Sequence, residues 1–151
     1  MTLVPDMSEV ERFLSPEEEA EIVRAILEAE RETSGEIRVH LEYTDRGDPM
    51  KRAMELFHVL KMDNTRESNG VLIYVAVHDH RFVIYGDTGI HRAVPEGFWD
   101  STRDLMQGHF KRGAFKEGIV AGVRSAGREL KAHFPWHPDD TNELSNEISK
   151  S

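Results

Sequence analysis

Apolar and polar residues change their spacing several times along the chain, and each change marks an element. Ser15-Pro16-Glu17-Glu18 combines a Ser N-cap, a Pro at the first helical position and a Glu able to reach back, which is a capping box. Ile22, Val23, Ile26 and Ala29 then mark one helical face, and Ser34-Gly35 stops the helix. Residues 36–43 alternate, with Ile37, Val39 and Leu41 on one side, so the spacing predicts a strand with one buried face. Asp48-Pro49 starts a second helix, with Met50, Ala53, Met54, Phe57 and Leu60 at helical spacing. Residues 71–77 are almost continuously apolar, as a central strand covered on both faces requires, and residues 81–85 follow as its hairpin partner. After a glycine-punctuated loop over 86–91, a helix is predicted from Pro95 to Gly113 and another over 114–133. Ala114, Gly118 and Gly122 give the last helix a small-residue stripe of the kind that lets a helix lie close against a sheet.

The predicted order is α-β-α-β-β-α-α. A right-handed crossover makes the first two strands parallel, and the hairpin adds an antiparallel third. The expected fold is α/β: a three-layer α/β/α sandwich, with a small mixed sheet covered by helices on both faces. Residues 15–134 form that domain. Residues 1–14 read as a loose arm, and 135–151, rich in Pro, Asp, Asn and Ser without periodicity, as a disordered tail.

This topology brings three segments to one edge: Glu36 at the start of its strand, the polar loop 63–70 and the loop 86–91. Glu36, Asp63, Asn64, Glu67, Asn69, Asp87 and Asp100 supply hard oxygens, the ligands that Ca²⁺ and Mg²⁺ prefer. Clustered carboxylates repel one another, a cost that a divalent cation relieves. Asp, Asn and Gly are equally ordinary turn formers, so Asn69-Gly70 also reads as a turn and Asp87 as a helix cap. His91 is the one histidine placed beside this edge. His78 and His80 at the opposite edge read as exposed turn residues, and His40 as a solvated position on the polar face of its strand.

Charge and composition narrow the chemistry further. Nineteen basic against 28 acidic residues give a net charge of −9, which argues against a nucleic-acid backbone as partner. The absence of cysteine excludes disulfides and thiolate sites. No apolar run approaches the ~20 residues of a membrane span, and the first residues lack a leader pattern, so the expected setting is cytoplasmic, away from membranes. Neither a phosphate-binding glycine loop nor a serine nucleophile elbow is present.

Thr33-Ser-Gly-Glu36-Ile-Arg-Val, Thr65-Arg-Glu-Ser-Asn69-Gly70-Val-Leu-Ile-Tyr-Val-Ala, Gly86-Asp87-Thr-Gly89-Ile and Phe110-Lys-Arg-Gly-Ala-Phe-Lys-Glu-Gly118, in this order and spacing, resemble the TPM domain. The resemblance runs from about Leu14 to Phe134. It implies an α/β/α sandwich, divalent-cation binding and, for some members, hydrolysis of phosphoric monoesters; other members act in photosystem repair or receptor assembly. Glu36, Asn69, Gly70, Gly89 and Asp100 match the family pattern. Asp87 and His91 stand where membrane-linked members carry the first Gly and the Glu of Gly-x-Gly-x-Glu. The expected function is a Ca²⁺- or Mg²⁺-dependent phosphomonoesterase, with Asp87 and Glu36 as ligands or general base and His91 as proton donor to the leaving group. Its substrate would be a phosphorylated small molecule. The alternative is a non-enzymatic, chaperone-like module that meets a protein client, its metal only ordering loops.

Overall fold

A computed structural model describes residues 5–138 and 144–151. Its elements, in order, are α1 (Pro5–Arg12), α2 (Pro16–Glu30), β1 (Glu36–Glu42), α3 (Pro49–Val59), β2 (Gly70–Ala76), β3 (Arg81–Gly86), α4 (Thr88–Ala93), α5 (Asp100–Lys111), α6 (Phe115–His133) and β4 (Ser149–Lys150). The sheet order is β3-β2-β1-β4. β1 runs parallel to β2, with Glu36 opposite Gly70, and β3 returns antiparallel, with Gly86 opposite Val71. The expected α/β fold is the observed one.

Local chemistry accounts for the helix starts. Ser15 and Glu18 close their capping box, with Glu18 N–H donating to Ser15 Oγ at 3.1 Å and Ser15 N–H to Glu18 Oε1 at 2.9 Å. Asp48 caps α3 through Lys51 N–H at 3.1 Å. Alternation along the strands then sorts two cores. Ile37, Val39 and Leu41 with Val71, Ile73 and Val75 face α1, α2, α5 and α6. Leu72, Tyr74 and Ala76 face α3, where Ala53, Leu56 and Phe57 are buried.

Several expectations change. Met50 and Met54 face solvent, and Leu56 turns inward in their place. The helix predicted from Pro95 starts only at Asp100, after Gly97 with its left-handed φ of 79°, and the loop predicted before it holds the short helix α4, which ends where Val94 is extended, as a residue before proline prefers. The glycines of α6 do not face the sheet. A Cβ on Gly118 would collide with the Phe110 ring and one on Gly122 would sit 2.5 Å from Met106 Sδ, so the stripe seats α6 against α5. Gly127 does the same for α2, at Ala29.

The ends differ most from the reading. Within the predicted arm, Pro5–Arg12 is helical, and Val10 and Leu14 are buried; residues 1–4 lie outside the described residues. Of the predicted tail, 139–143 lie outside as well. Pro135 bridges to Thr33, and Ser149–Lys150 pair with β1. Two paired residues are too few to leave a period in the sequence. Their hold is polar instead: Lys150 Nζ reaches Glu19 at 2.9 Å and Glu11 at 3.4 Å. His40 is consequently buried, not solvated, with Nδ1 2.8 Å from Ser149 Oγ and Nε2 2.7 Å from Ser151 Oγ. Among the described residues no helix is long and apolar enough to cross a membrane.

Candidate functional site

Three backbone segments meet at the N-terminal edge of the parallel pair, and hydrogen bonds lock them. Glu36 N–H donates to Asn69 O at 3.3 Å, joining β1 to the loop before β2. Asp87 N–H donates to Gly70 O at 3.0 Å, and Gly89 N–H to Ser68 O at 2.8 Å, which docks the start of α4 on the same loop. The docking demands glycine at position 89, since a Cβ there would collide with Glu67 O and lie 2.5 Å from Ser68 O, both backbone atoms. Ser68 itself adopts a left-handed φ of 51° to turn the chain into β2.

Two side chains inside this junction have unused acceptors. Asp87 is buried; its Oδ1 accepts from Thr88 N–H at 2.7 Å, capping α4, while Oδ2 accepts no hydrogen bond. Asn69 is 1% exposed; its Nδ2 donates to Ser34 Oγ at 3.1 Å, and Oδ1 is likewise without a donor. A buried polar atom left unsatisfied costs about 1–3 kcal/mol, and more when it is charged. Two hard oxygens, both on residues hydrogen-bonded into one loop junction, form the donor chemistry that suits a divalent cation. Asp87 and Asn69 thus supply oxygens of the type such an ion takes.

Carboxylates flank the junction. Glu36 is buried, and its Oε1 accepts from Leu144 N–H at 2.8 Å. Glu30, at the end of α2, accepts from Ile37 N–H at 2.8 Å through Oε2. Burial, reinforced by the charge of Glu36, pushes the Glu30 carboxyl up to about 8. Helical spacing puts Glu30 in line with Ile22 and Ile26, on the face that turns to the core, and the turn over residues 31–35 brings this helix end back over the start of β1.

The remaining sequence-predicted residues go elsewhere. Asp63 is exposed and sits 2.8 Å from His58 Nδ1. Asp100, in the first turn of α5, pairs with Arg103 at 2.7 Å on the surface. Among the described residues no three His, Asp or Glu side chains form a metal-holding group, so the expected convergence into one carboxylate cluster does not occur. His91 lies on the exposed side of α4, its ring 6.4 Å from that of Tyr85.

The family model described as TPM domain matches residues 8–129. The chain belongs to the TPM domain family. The solved structure of BA42 from the psychrophilic bacterium Bizionia argentinensis is 58% identical in sequence and superposes with a TM-score of 0.89, covering 96% of this chain and 100% of that one. A domain from P. gingivalis at 23% identity, covering 83% of each chain, gives a TM-score of 0.67. The N-terminal domain of cg2496 from Corynebacterium glutamicum, at 13% identity, gives 0.62, covering 91% of this chain and 81% of that one. These last two establish the fold alone. No curated protein sequence matches this one.

Proposed function

We propose that this TPM domain binds a divalent cation, Ca²⁺ or Mg²⁺, at the junction of Asn69 and Asp87 and hydrolyses phosphoric monoesters there. The observation that carries the reading is the pair of buried acceptors, Asn69 Oδ1 and Asp87 Oδ2, left without a donor. The family's name, which includes phosphatase, supports the reaction class. A bound cation would screen the phosphate oxygens and make an attacking water more acidic. Asp87 and Asn69 would hold the ion. Glu36 would take the proton from water, and exposed His91 would give one to the leaving group. An acidic edge repels a phosphate dianion, so the reaction requires the ion.

The test is hydrolysis of a chromogenic phosphomonoester, alongside thermal melting, with Mg²⁺, Ca²⁺ or EDTA. Asp87→Asn keeps the acceptor for Thr88 N–H and removes the charge. Turnover and the cation-induced rise in Tm are both expected in the wild type and lost in the variant. Turnover that survives full chelation overturns the reading. The second reading is a non-enzymatic module acting on a protein client, its cation only ordering the loops. It predicts the rise in Tm without turnover.

A further inference from the structure

The opposite edge of the sheet carries a separate cavity of about 380 Å³ between β3 and α5. Four of the chain's seven phenylalanines, Phe13, Phe82, Phe110 and Phe115, line it. Their rings run in series: Phe82 to Phe110 at 5.1 Å, Phe110 to Phe115 at 5.6 Å and Phe115 to Phe13 at 4.8 Å. All four remain partly exposed, although Phe13, Phe82 and Phe110 pack against the main core. Val75 and Val77 close the floor. A volume at the lower end of the ~300–1,000 Å³ of small-molecule sites suits a ligand of one ring with a short chain.

The polar lining has one sign. In a chain of net charge −9, no carboxylate among the described residues lines this cavity, whereas His80, Arg81, Arg103 and Lys111 do. Arg81 is committed to buried Asp45 by two hydrogen bonds of 2.7 and 2.6 Å. Arg103 meets Asp100 only in an exposed pair, which is weak and exchangeable. Lys111 has no ion pair among the described residues. One uncommitted cation and one exchangeable guanidinium beside an aromatic wall match a monoanion. A dianion would bring more charge to an apolar surface than these groups neutralise.

We propose that this cavity binds a small amphipathic carboxylate, its apolar body on the four phenylalanine rings and its carboxylate held by Lys111 and Arg103. The guanidinium fork suits the two carboxylate oxygens. The site is independent of the cation junction at the other end of the sheet.

Amide NMR titration of the intact protein with 3-phenylpropionate, 3-phenylpropanol and 3-phenylpropylamine separates the contributions. Shifts at Phe82, Phe110, Lys111 and Phe115 are expected, with the carboxylate binding about fivefold more tightly than the alcohol, the upper range for an exposed ion pair. The amine should bind weakest. Lys111→Glu, at an exposed helix end, should erase the preference for the carboxylate and leave alcohol binding unchanged. Phe110→Ala should weaken all three ligands. Equal affinity for the three, shifts confined to residues 63–70 and 86–91, or no shifts at millimolar ligand would each overturn the proposal.

Discussion

Acidification should loosen the seam between β1 and the C-terminal strand, and His40 sets the size of the effect. The ring is 2% exposed and bracketed by the hydroxyls of Ser149 and Ser151. Burial is the main reason that its pKa is pushed down to about 4; the charge of Glu42 opposes the shift, and Arg52 and Arg38 add to it. The unfolded chain binds a proton near the ordinary value of about 6.5. A base with a depressed folded pKa contributes stability that is complete above the unfolded value and is lost as pH falls toward the folded one. Linkage then makes the loss about 2 kcal/mol between pH 7 and pH 5, out of about 3 kcal/mol in all.

Glu30 acts in the opposite sense. Its carboxyl titrates at about 8 in the folded state against an ordinary value of 4.5, so acidification over that range favours folding. The wild-type curve alone is therefore a balance of the two. The assay is urea unfolding of the wild type and His40→Gln at both pH values, taking the difference of differences. The variant should lose about 2 kcal/mol less than the wild type on going to pH 5. Parallel losses in the two proteins would refute the claim that His40 is held neutral by burial.

Other perturbations follow from the same geometry. Arg52→Ala strands the carboxylate of Glu42, which is only 6% exposed at its side chain, and should cost about 3 kcal/mol in urea unfolding. Gly89→Ala drives a methyl into the carbonyls of Glu67 and Ser68; melting with and without Ca²⁺ should show a loss of about 2 kcal/mol and a blunted cation response. Glu30→Gln keeps an acceptor for Ile37 N–H and removes the cost of taking up a proton on folding. Stability at pH 7 should rise by about 3 kcal/mol, and the gain should vanish below pH 4.5, where the wild-type carboxyl is protonated in both states.

What the sequence reveals depends on how local the cause is. The capping box at Ser15, the apolar run of β2 and the parallel crossover are legible because each follows from spacing within a few residues. Asn69, Asp87 and Glu36 are legible as neighbours because the crossover fixes which strand ends share an edge. Asp63 and Asp100 have local partners that spacing alone does not announce, His58 and Arg103, five and three residues away. Glu30 continues the Ile22 and Ile26 stripe, yet its role is missed because helical spacing does not show the Ile37 N–H that meets it. His40 reads as solvated because period two reports only that a face is polar. It does not report that α3 and a two-residue strand more than a hundred positions away will cover it with hydroxyls and a guanidinium.

Acidic count does not distinguish the two edges of the sheet; partner bookkeeping does. At the C-terminal edge every acid has a strong claim on it. Asp45 takes the Arg81 fork, and Glu42 takes Arg52 at 2.6 Å with the Tyr74 hydroxyl at 2.5 Å. Asp79 accepts from Thr44 and from Asp45 N–H, and Asp48 caps α3. Burial alone would raise the Glu42 carboxyl, yet Arg52 and Tyr74 hold it below the ordinary range. At the N-terminal edge Glu30 and Asp87 have no cationic partner among the described residues, and burial together with the charge of Glu36 raises the Glu30 carboxyl to about 8. A fold that meets Asp45 and Glu42 at one edge with arginines leaves Glu30 and Asp87 at the other to protons, water or an added cation. Asp87 is the more telling of the two, because its position as the cap of α4 holds Oδ2 in place whether or not anything meets it.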